Sequence, residues 1–236
     1  MRLDAFLDAV ADAHKTIVVY APTDAGRDLA DRLSTRNATV EYRTAPQGAP
    51  AGFAVVHEDG QFLGALALED LLTYLEPPVR PPWNLDELDP GYRALYDLLD
   101  ETLFVSLDRR QLLATSREIE DRAWRVGRGT LHVGFQTQQA FEAQRSMYRH
   151  LAETTDLDVH VYVSADTLED GFDPGPVTLH TGPAETVERF WFLLFDGGGN
   201  DQQTCALVAE ERDDGRYRGV WTYDPGLVDL AFDALQ

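Results

Sequence analysis

Apolar side chains recur at helical spacing over residues 3–13, where Leu3, Phe6, Leu7 and Val10 share one face and aspartates the other. A short helix is therefore expected to open the chain. The β-branched run at 16–20 predicts a strand, Pro22-Thr23-Asp24 starts a helix to about residue 33, and residues 39–43 alternate as a second strand. After a Pro/Gly/Ala loop at 46–52, the runs 53–57 and 62–66 flank Glu58-Asp59-Gly60-Gln61, which reads as a hairpin turn. Residues 68–75 close this unit as a helix.

Pro77, Pro78, Pro81, Pro82 and Pro90 then deny a helix and favour extended backbone, so the pattern divides into an N-terminal module, 1–76, a linker, 77–90, and a larger module, 91–236. In the second module helical periodicity covers 92–99 and then 108–126, with Asp108 as N-cap and Gly127 as the stop. Strand 130–136, helix 138–153 and strand 158–163 follow, then a short strand near Val177. Residues 190–195 have no polar member, which predicts a central strand covered on both faces. Runs 205–211 and 217–222 form a hairpin around Asp213-Asp214-Gly215-Arg216, and Asp224-Pro225 begins the last helix. The expected fold is α/β: two α/β modules whose open mixed sheets are flanked by helices. Both run helix, strand, helix, strand, hairpin, helix, and the likeness of Asp59-Gly60-Gln61-Phe62 to Asp214-Gly215-Arg216-Tyr217 leaves a duplication open.

Charge changes the picture most. The 236 residues hold 41 acidic and 20 basic groups, a formal net charge of −21, and the acid is spread over helix faces rather than gathered in a tail. Asp4, Asp8 and Asp12 repel one another along the first helix, a cost that molar salt removes by shortening the Debye length to about 3 Å. With a single lysine, Lys15, among the basic residues, this is the composition expected of a protein from a cytoplasm holding molar salt, or of an acidic protein from a GC-rich genome. Such a charge repels nucleic acid and anionic membranes, so neither is expected as a partner. No apolar run is long enough to span a bilayer, and the acidic start does not resemble a signal peptide. One cysteine, Cys205, excludes an internal disulfide and fits a reducing compartment, so the expected location is cytoplasmic.

From residue 104 to about 228 the sequence resembles the DICT domain, a sensory module attached elsewhere to cyclic-dinucleotide enzymes and two-component proteins. The resemblance is carried by Ser106-Leu107-Asp108-Arg109-Arg110-Gln111-Leu112-Leu113, Ser116-Arg117-Glu118-Ile119-Glu120-Asp121-Arg122-Ala123, His132-Val133-Gly134-Phe135-Gln136, Val159-His160-Val161-Tyr162, Trp191-Phe192 and Gly219-Val220-Trp221-Thr222-Tyr223-Asp224-Pro225. The arrangement behind an N-terminal α/β segment is similar to that of stand-alone DICT proteins of haloarchaea. What the resemblance implies is signal input, with a role in light responses, and no catalytic residue set, cofactor or ligand comes with it. The signalling partner stays unidentified.

Two patterns give the candidate site. Arg109, Arg110, Arg117, Arg122, Arg125 and Arg128 crowd one stretch against Glu118, Glu120 and Asp121, so the cluster binds an anion or forms helix salt bridges at four-residue spacing. Strand alternation sets His132 and Gln136 on one face of their strand, and His160 and Tyr162 on one face of theirs; as neighbours these would line a polar and aromatic pocket, unless a helix covers them as core histidines. Gln136 and Asp196 fall at strand C-termini, where open α/β sheets bind ligands. Trp191 and Trp221 either stack on a flat ligand or belong to the core. The candidate ligand-binding set is thus Arg122, Arg125, His132, Gln136, His160, Tyr162, Trp191, Asp196 and Trp221. No HExxH, CxxC, GxSxG or P-loop motif occurs, no metal site is expected, and Cys205 reads as buried and inert. The expected function is a non-catalytic sensor of a small ligand or partner in signal transduction; an enzyme acting on a phosphorylated or nucleotide-like metabolite and a ligand-free interaction scaffold stay open.

Overall fold

The computed structural model describes residues 3, 6, 7, 15–21, 38–45, 52–58, 60–69, 104–107, 109–182, 187–212 and 216–235. The helices expected at 24–33 and 92–99 and the linker at 77–90 lie outside the described residues. The first sheet contains β1 (Lys15–Ala21), β2 (Ala38–Thr44), β3 (Phe53–Glu58) and β4 (Gln61–Ala67) in the order β2-β1-β3-β4. β1 and β2 are parallel, and β3 is antiparallel to β1 and to β4.

The second sheet has seven strands: β5 (Phe104–Leu107), β6 (Arg128–Gly134), β7 (Asp156–Ser164), β8 (Thr178–Gly182), β9 (Phe190–Phe195), β10 (Cys205–Glu211) and β11 (Tyr217–Thr222), ordered β5-β11-β10-β9-β6-β7-β8. The all-apolar β9 takes the central place and all six of its residues are buried. The segment β7-β6-β9-β10 repeats the order and the parallel and antiparallel pairs of β2-β1-β3-β4. In topology, then, the β3–β4 hairpin corresponds to β9–β10, not to the DG hairpin β10–β11 that the sequence likeness selects. A turn motif recurs wherever two strands need a tight link, so it marks a hairpin without saying which one.

Side chains alternate cleanly between two layers. On one face Leu131, Val133, Val159, Val161, Leu193, Phe195 and Leu207 join the cluster of α1 (Arg109–Val126), α2 (Gln138–Glu142) and α3 (Arg145–Thr154), and this cluster also takes in Ile17, Val19, Ala54 and Val56 of the first sheet. On the reverse face Phe190, Phe192, Leu194, Val208 and Val220 pack with Val228 and Ala231 of α4 (Pro225–Asp233) and with Leu3, Phe6 and Leu7 of the opening helix. Asp224 caps α4, accepting a hydrogen bond from the Leu227 amide at 2.9 Å.

The single helix expected at 138–153 is two. Gln144 breaks it with a tight turn, its amide bonding Phe141 O at 2.8 Å, while its side-chain amide accepts from Arg117. Gly134 serves the reverse face: it lies opposite Phe192 in the β6–β9 pair, and a Cβ there would fall inside the Phe192 ring.

Candidate functional site

β6 runs out at Gly134, and its continuation, Phe135 and Gln136, meets the first residue of α1 and the start of β9. There Arg109, Leu113, Phe135, Gln136, Ala140, Gln144 and Trp191 line a recess of ≈ 50 Å³, room for one or two water-sized groups. Trp191 is fixed: its indole N–H donates to Ser116 Oγ at 3.0 Å, and Ser116 Oγ donates to Leu112 O at 3.0 Å. The guanidinium carbon of exposed Arg109 lies 5.7 Å from the Trp191 ring centre, a cation–π contact. Gln136 Nε2 donates to Glu211 Oε2 at 2.8 Å on the rim.

Behind the recess, Gln144 leads to a buried polar network. Arg117 donates to Gln144 Oε1 and to Glu120 Oε2, and the Tyr148 hydroxyl donates to Glu120 Oε1. Arg117, Glu120 and Tyr148 are 6%, 1% and 2% exposed. Burial pushes the Glu120 carboxyl up, outweighing the pull of Arg117, and burial also pushes the Tyr148 phenol well up. For Arg117 burial works against the charge, yet Glu120 beside it prevails and the guanidinium pKa is raised.

On the reverse face stands an imidazole array. His132 of β6 pairs in register with His160 of β7, and Tyr162 of β7 with His180 of β8. The His132 and His160 rings are 4.5 Å apart and stacked, Tyr162 stacks on His180 at 4.6 Å, and the Tyr162 hydroxyl bonds His132 Nδ1 at 2.9 Å. Phe232 of α4 meets the His132 ring edge-on at 5.0 Å. Burial first, then His160 and His180, lower His132 to about 4, so it is neutral at pH 7.

The nine expected site residues therefore do not share one pocket. Gln136 and Trp191 meet at the recess; His132, His160 and Tyr162 meet in the array on the opposite face. Arg122 lies over Tyr223, 4.3 Å from the ring centre, and Arg125 pairs with Asp121 at 2.8 Å. Asp196 accepts from the Gly198 amide at 2.8 Å and shapes a turn, while Trp221 is core at 1% exposure. The four-residue pairs Glu118–Arg122 and Asp121–Arg125 form, whereas Arg117 takes Glu120 instead of Asp121. Gln144, Asp158 and His180 join the two groupings without having been singled out as ligand groups, and Arg109 joins the recess from the arginine cluster although it stood outside the candidate set of nine. Asp158 and His160 share a strand face by parity, so Asp158 was within reach of the pattern; His180 needed the β7–β8 register. Cys205 is fully buried, its thiol pushed up to about 12 by burial. Among the described residues no group of three or more His, Cys, Asp or Glu is placed to hold a metal ion, and no helix is long and apolar enough to cross a membrane.

Residues 93–212 match the model of the DICT family, described as a sensory domain in diguanylate cyclases and two-component systems. That span covers β5 to β10 and ends before the Gly219–Pro225 run. No curated protein matches the sequence. Among solved structures, a polyphosphate kinase from Porphyromonas gingivalis is similar over 97% of this chain at 11% identity and a TM-score of 0.36. The chain spans 46% of that structure's length, and likeness at this level carries no inference.

Proposed function

Because this chain belongs to the DICT family of sensory domains, we propose that it takes in a signal by binding a small ligand at the recess between Arg109, Gln136 and Trp191, and passes the signal on without chemical conversion. The observation that carries this reading is the convergence there of a guanidinium, two side-chain amides and a fixed indole. The recess lies at the carboxyl end of β6, the end at which open α/β sheets bind ligands. Its ≈ 50 Å³ suits one compact polar group, such as a carboxylate, with the rest of the ligand lying outside across Trp191 and Arg109. In a chain of net charge −21, an exposed arginine beside an apolar ring gives an anion a local reason to stop.

Gln144 supplies the output. It faces the recess and its Oε1 accepts from Arg117, so a carboxylate that accepts from Gln144 Nε2 and turns that side chain towards itself draws Oε1 away from a buried cation. Buried charges demand full pairing, so Arg117, Glu120 and Tyr148 must then rearrange, and α3 moves with Tyr148. No catalytic step is assigned to the site, because its described lining offers a guanidinium, two amides, an indole and apolar side chains, with no carboxylate, imidazole, hydroxyl or thiol among them.

Native mass spectrometry of the chain isolated gently from molar salt tests this. A co-isolated small molecule retained by the parent chain and lost from a folded Arg109→Ala variant is the expected result, and visible absorbance in that molecule would support the light role. A folded parent chain that carries nothing, and whose tryptophan fluorescence ignores a panel of small carboxylates and phosphates, would refute it.

A further inference from the structure

The reverse face holds a second, separate arrangement. His160 Nδ1 lies 2.7 Å from His180 Nε2, with ring centres 5.0 Å apart and planes 17° from parallel. The centre-to-centre distance equals the nitrogen–nitrogen distance plus the two ring radii. The rings must therefore lie edge to edge in nearly one plane, with the two nitrogens aimed at each other. Such a bond needs a proton on one nitrogen and a lone pair on the other. At the far edge of His160, Nε2 is 3.0 Å from Asp158 Oδ2, so carboxylate, imidazole and imidazole form one continuous chain.

We propose that Asp158, His160 and His180 form a proton-binding site that accepts one proton readily and resists a second. With the first proton, His160 carries hydrogens on both nitrogens, donating Nε2–H to Asp158 and Nδ1–H to the His180 lone pair. Both hydrogen bonds survive, and they become charge-assisted. A second proton has to enter at His180 Nε2, where N–H would face N–H and two cations would sit at hydrogen-bond distance. The bond between β7 and β8 side chains then opens, and among the described strands β8 stands at the edge of the sheet.

The surroundings fit this division. Burial first and then the charge on His160 lower His180, with Asp158 pulling the other way. His132 from β6, held to about 4 by burial and by the two neighbouring imidazoles, stays neutral while the pair takes its first proton; Asp158 and Asp196 oppose that lowering. Tyr162 keeps its proton because burial raises its phenol, and from α4 the group in contact is the apolar Phe232. This site does not depend on the recess, which lies on the other face of the sheet.

Histidine-selective NMR of the whole chain, titrated from neutral to acid in molar salt, decides the matter. The resonances of His160 and His180 are expected to move together in two steps more than about one pH unit apart, as coupled sites do. Asp158→Asn, at a side chain 66% exposed, should lower the upper step by about one unit or less. His180→Gln should leave a single step. Two rings that titrate independently at one ordinary pH, or an upper step unmoved by Asp158→Asn, would overturn the proposal.

Discussion

Replacing Arg117 by methionine would strand the Glu120 carboxylate, which is 1% exposed and, among the described residues, is left with the Tyr148 hydroxyl as its bonding partner. Breaking a buried pair on one side costs about 3–5 kcal/mol, whereas replacing both members with apolar groups of similar volume is neutral or stabilising. For a chain of this length each kcal/mol moves Tm by about 2–4 °C. Arg117→Met should therefore lower Tm by about 6–20 °C, and Arg117→Met with Glu120→Leu should recover most of the loss. Calorimetry in molar salt reads both numbers. The single variant is also expected to regain stability on acidification, since a neutral Glu120 is cheaper to bury than a charged one. If the double variant is no more stable than the single one, the network is not an ion pair held by mutual need, and the route from Gln144 to α3 loses its basis.

Two further outcomes follow from the reverse face. Gly134→Ala should cost about 1–3 kcal/mol by driving a methyl into the Phe192 ring, and Phe192→Leu in the same chain should restore part of it; a melting scan showing no loss would contradict the packing. His132, lowered from 6.5 to about 4 in the folded chain, refuses a proton that the unfolded chain accepts, so its contribution to stability is complete above pH 6.5 and disappears as pH falls through about 4. His132→Asn should flatten that part of the Tm profile, and an unchanged profile would show that His132 titrates normally.

Much of the fold was legible because alternation and helical spacing report directly on burial. β9 announced its central place by lacking any polar residue, and the alternating apolar positions of β6 and β7 do face the α1 layer. What failed was non-local. β5 is four residues long and is held by irregular pairing with β11, too short to show a period. The break at Gln144 was invisible because Phe141, Met147 and Tyr148 keep a helical rhythm across it. Parity grouped His160 with Tyr162 but could not say that Trp191 and Trp221 lie on the other side of the same sheet. That depends on the β6–β9 and β10–β11 registers, which no local pattern encodes. Arg117 took Glu120 because a third partner, Tyr148 from α3, helps fix that carboxylate.

The packing of Leu3, Phe6 and Leu7 beside Val228 and Ala231 sets an order of events during synthesis. More than two hundred residues separate these three from Val228 and Ala231 along the sequence, so they emerge from the ribosome well before those neighbours do. Until then that side of the large sheet lacks the cover that α4 gives it, which makes this the stage at which chaperones, or stray copies of the chain, would find something to hold.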